Sequence, residues 1–104
     1  MPLPVVETVL EQHVEELTTV WAVRDGLRAK ADIRLRDLAR FDERIAAHED
    51  GCVLGGTHAL RMLTAQLADV SAGGVFAAAV VGIALNDHRM IARCVALAGA
   101  SPAC

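Results

Sequence analysis

Apolar residues return every three or four positions along most of this chain, the spacing of helices that bury one face. After Pro2 and Pro4, the positions Val6, Leu10, His13, Leu17, Val20, Trp21 and Arg24 keep that rhythm and predict a first helix ending near Gly26 or fraying towards Lys30. Glu7, Glu11 and Glu15 form an outer stripe in its early turns, where negative charge complements the helix dipole. A second helix is expected from an Asp32 cap, with Leu35, Leu38, Phe41, Ile45 and Cys52 on one side and Gly51, Gly55 and Gly56 closing it. Arg36, Arg40 and Arg44 run along its other side, while a helical wheel places Asp42 and Glu49 inside the apolar arc.

Thr57 is expected to cap a third helix striped by Leu60, Leu63, Leu67 and Val70, and Ser71-Ala72-Gly73-Gly74 to end it. From Val75 to about Leu85 the pattern is apolar on every side, as a helix enclosed by neighbours requires. Asn86-Asp87 predicts a tight turn and a cap for a fifth helix faced by Met90, Ile91, Cys94, Val95 and Ala98, which Gly99 stops and Pro102 keeps from resuming. The stretch 74–99 therefore reads as an antiparallel helix pair. No stretch sustains the alternation of a strand. The reading is an all-α antiparallel bundle of about five helices in one domain, 1–104, with two longer helices over 1–56 and a three-helix half over 57–104.

Composition sharpens this picture. With 104 residues, 54% hydrophobic but only 3% aromatic, the core must be built from Ala, Val, Leu and Ile, which suits helices packed closely on helices. A formal net charge of −3 is small and of the wrong sign for a nucleic-acid binder. After Gly51 the only charged residues are Arg61, Asp69, Asp87, Arg89 and Arg93, so the first half is surface-rich and the second core-rich. The apolar run 75–85 is about half the length a bilayer demands, and the opening MPLPVVETVLEQH lacks the basic start of a signal peptide. Neither a membrane nor export is expected. Cys52, Cys94 and Cys104, odd in number and without CxxC spacing, fit a reducing cytoplasm better than a disulfide framework or a zinc site.

The candidate chemistry is thin. His13 shares a face with Leu10, Leu17 and Trp21, and His48 lies beside Leu38, Phe41 and Ile45, settings of structural histidines, while His58 and His88 fall in exposed first turns. No HExxH or Cys/His cluster announces a metal, so neither metal nor cofactor is expected. Cys52 and His58 could in principle make a nucleophile and its base, but the Gly55-Gly56 turn sends them onto separate helices. The glycine-rich GCVLGG and SAGG match no phosphate-binding fingerprint. Arg36, Arg40 and Arg44 alternate with Asp37, Asp42 and Glu43, as solvated ion pairs do, and are also candidates for a partner with an acidic face. Asp42, if buried, needs a cation, and Arg24 or His13 on the first helix could supply it should the two long helices pack antiparallel.

Three stretches, HVEELTTVWAVRDGL (13–27), LRDLARFDERIAAHEDG (35–51) and GGVFAAAVVGIALND (73–87), resemble the N-terminal region of a proteobacterial family of HEAT-repeat-like proteins of unknown function. The resemblance implies a binding scaffold of stacked helix pairs, an adaptor or immunity protein at type VI secretion loci, with no catalytic residues. Longer members continue into further pairs, whereas this chain has the one pair at 74–99 before 101–104. A lone pair leaves its apolar face open, and self-association is the simplest cover. The expectation is thus a non-enzymatic interaction module that binds a protein partner and forms a homo-oligomer, with Met90, Ile91 and Val95 as interface candidates beside the arginines.

Overall fold

The computed structural model describes residues 6–30 and 32–100, which fold into five α-helices: α1 (Glu7–Leu27), α2 (Leu35–Gly55), α3 (Thr57–Gln66), α4 (Ala72–Ala84) and α5 (His88–Ala100). No strand occurs among the described residues, so the all-α expectation holds. Leu10, Val14, Leu17 and Val20 of α1 are buried against Ile45 and Cys52 of α2, Ala59, Leu63 and Leu67 near α3, and Val75, Ala77, Ala78 and Val81 of α4. Burying side chains such as Leu17 and Leu63, both 0% exposed, contributes about 1.5–3 kcal/mol each.

α1 and α2 run antiparallel. Arg24 meets Asp42 near one end of the seam, and His13 meets His48 and Leu10 meets Gly55 towards the other. α4 lies at the centre, touching α1, α2, α3 and α5, as its apolar composition demands. Trp21 of α1 stacks on Phe76 of α4, ring centroids 4.8 Å apart. α5 folds back on α4 after a three-residue turn at 85–87, and Gly82 lets Met90 approach closely.

Several boundaries differ from the sequence reading. Arg34, not Asp32, precedes α2, and its backbone N–H donates to the Asp37 carboxylate at 3.3 Å. Gly51 and Gly99 sit inside helices instead of ending them. Gly51 is where the His13 ring crosses α2. Gly56, at φ 54, is the cap of α3 in place of Thr57 and joins α2 to α3 through a single residue in the left-handed region. Ser71 does not end α3. Its hydroxyl accepts the Gly74 N–H at 3.0 Å and starts α4, three residues before the expected Val75. Gly73 and Gly74 are buried in that first turn, and a Cβ on Gly73 would stand 2.7 Å from the Thr18 carbonyl oxygen. These glycines permit close packing. Asp87 does cap α5, its Oδ1 accepting the Met90 N–H at 2.8 Å. Val6, Leu35, Val70 and Ile83, placed on buried faces by periodicity, are exposed, and Val70 lies beyond α3, which ends at Gln66 before the expected stripe is complete. Pro2, Pro4, Pro102 and Cys104 lie outside the described residues.

Candidate functional site

The α1–α2 seam gathers the polar side chains that the sequence singled out. Arg24 Nε donates to Asp42 Oδ1 at 2.6 Å, and a second bond of 3.3 Å joins Nη2 to Oδ2. This pair stands at the margin, with the Asp42 side chain 54% exposed. The sequence left burial of Asp42 open, and of the two alternatives the structure gives the open margin: the wheel gives the direction of Asp42 but not the width of the neighbour, and α1 does not cover it. Hydrogen bonding to Asp42 raises the pKa of Arg24 further above its already high range.

His13 does not reach Asp42. It turns to His48, Nδ1 to Nδ1 at 3.0 Å, with the rings tilted by 56°. Burial, followed by the nearness of His13, lowers the pKa of His48. Neither the partnership nor its place was read from sequence, although a signal existed. Once Arg24 is set against Asp42, stepping back along α1 and forward along α2 brings His13 to the 48–52 region.

The basic stripe is open. Arg36 and Arg40 are exposed, while Arg44 lies 5.9 Å over the Phe41 ring and 3.9 Å from Glu16. The three interface candidates on α5 separate. Met90 is 5% exposed and packs beside Gly82, so it belongs to the core and not to an open surface. Ile91 is half-buried on the same side, and Val95 is 68% exposed. Ala92, Val95, Ala96 and Gly99, spaced to share one helical face, are all exposed and turned from the core side at Met90 and Cys94.

Groups suited to catalysis are poorly disposed. Cys52 is fully buried, and burial, helped by Glu49, pushes its thiol up to about 11. Cys94 is also buried and shifted upwards by desolvation. A thiol in that state is not a nucleophile at neutral pH. His58 sits on α3 against Arg61 at 3.2 Å, whereas Cys52 belongs to α2. Among the described residues no group of three or more His, Cys, Asp or Glu is arranged to hold a metal, and no helix is long and apolar enough to cross a membrane. Between α3 and α5 a surface groove is lined by Leu60, Thr64, Asp87, Arg89, Met90 and Arg93, with the Asp87 carboxylate already engaged as a cap. No protein-family model, curated protein or solved structure matches the chain.

Proposed function

We propose that this protein works by binding another protein, through the outer face of α5, and carries no chemistry of its own. The observation that carries the reading is the edge position of α5. This helix buries Met90 and Cys94 against α4 and turns Ala92, Val95, Ala96 and Gly99 to solvent, an apolar strip with exposed His88 and Arg89 in the turn before it. Exposed Ile83 at the end of α4 adds apolar surface to the same hairpin. The raised thiol of Cys52 and its enclosure support the absence of catalysis, since a nucleophile must reach its substrate.

The resemblance of 13–27, 35–51 and 73–87 to HEAT-repeat-like proteins adds the kind of scaffold: the α4–α5 hairpin serves as one repeat pair, and its open side as the docking surface of an adaptor at type VI secretion loci. The two described cysteines are free and buried, which supports a cytoplasmic home. A second copy of the chain is the simplest occupant of the α5 face in purified protein.

Affinity capture from the native host, with mass spectrometry, tests the reading. Wild-type protein is expected to enrich a defined set of proteins that Val95→Glu loses while keeping its helical circular dichroism. Identical background from both would refute docking through α5.

A further inference from the structure

The α1–α2 seam holds a contact that neither the core nor the docking face uses. His13 projects from α1 across the backbone of α2 at Gly51, where a Cβ would stand 2.5 Å from its ring, so glycine is what admits the imidazole. One turn back on α2, His48 presents its Nδ1 to that of His13 at 3.0 Å. Two ring nitrogens so placed share one proton: one Nδ1–H donates and the other Nδ1 accepts. The bond exists when both rings are neutral, and it is charge-assisted when one is cationic. A second proton removes the only acceptor and sets two imidazolium ions against each other.

We propose that His13 and His48 form an acid-sensitive latch, which holds α1 on α2 when the pair carries no more than one extra proton and releases the seam when both rings are charged. The surroundings do little to shelter a doubly charged pair. Glu16 of α1 favours the His48 cation and Arg44 of α2 opposes it, and these two lie 3.9 Å apart, so the arginine offsets part of the carboxylate's effect. α4, over Ala72–Ala84, carries no titratable side chain, and the two on α3, His58 and Arg61, are bonded to each other on the exposed surface.

Desolvation and the nearness of His13 hold His48 below its ordinary value, so the native state binds fewer protons than the unfolded chain once pH drops under about 6.5. The latch's stability is therefore fully present above that value. It is lost as pH falls through it towards the depressed native value, the unfolding constant rising by up to about tenfold per pH unit.

Denaturant unfolding at about pH 7.5 and about pH 5.5, bracketing the histidine range, compares wild type with His48→Gln, which can still donate a hydrogen bond but cannot become charged. The unfolding constant of wild type is expected to rise several-fold more than that of the variant. Histidine ring NMR on the wild-type protein is the second readout: one ring of the pair should titrate below the free-histidine range, and its protonation should shift the other ring. Parallel pH profiles for wild type and variant would overturn the latch, as would two rings titrating independently at the ordinary value.

Discussion

A carboxylate that faces water gains little from an arginine, because water screens the attraction and holding both side chains in register costs entropy. Asp42 is in that position despite its two hydrogen bonds from Arg24. We expect Asp42→Ala to leave the urea midpoint nearly unchanged at moderate ionic strength, and any difference from wild type to vanish at about 1 M salt, where the screening length falls to about 3 Å. A large loss in urea titration would mean that the pair is covered in solution. The pairing of Arg24 with Asp42 was legible because both residues lie on the facing sides of two helices whose order favours antiparallel packing. The exposure was not, since azimuth on a wheel carries no information about how far a neighbour extends. The same limit hid His13–His48, where each ring could be placed on a face but its opposite number depends on the seam's register.

At the scale of elements, the helices were readable from periodicity, and their ends less so because glycine has two opposite uses. One glycine stops a helix, as Gly56 does at φ 54, and another stays inside one so that a second chain segment can come close. Gly73 is of the second kind, passing the Thr18 carbonyl of α1, whereas Gly26 of α1 has nothing within 4 Å of where a Cβ would be. Only the neighbour distinguishes them. Gly26→Ala should therefore stabilise by up to about 1 kcal/mol through helix propensity and reduced chain entropy. Gly73→Ala should destabilise by about 1–3 kcal/mol, because the atom it meets is backbone and cannot swing aside. Thr18 makes that spot rigid: its hydroxyl donates to the Val14 carbonyl at 3.1 Å and accepts the Gln66 amide at 2.6 Å. Thermal unfolding of both variants checks the pair of signs, and a stabilised Gly73→Ala would contradict the close approach of α4 to α1.

For the molecule as a whole, the division seen in the charges reappears as architecture. The charge-rich half forms the long α1–α2 hairpin, and the charge-poor half places α4 at the centre with α5 at the edge. Centrality of α4 was legible because a helix apolar all round must be enclosed. The openness of α5 was only partly legible: its stripe at Met90, Ile91, Cys94, Val95 and Ala98 blended a core face with an outer one, and the structure separates buried Met90 from exposed Val95. The central claim, that the outer face of α5 is a docking surface which a second copy fills in purified protein, is tested most directly by the mass of that protein in solution. At tens of micromolar, light scattering should give a dimer or larger assembly for wild type and a monomer for Val95→Glu, since a carboxylate buried without a partner opposes association. A monomeric mass for wild type, or an assembly that Val95→Glu leaves intact, would contradict the account.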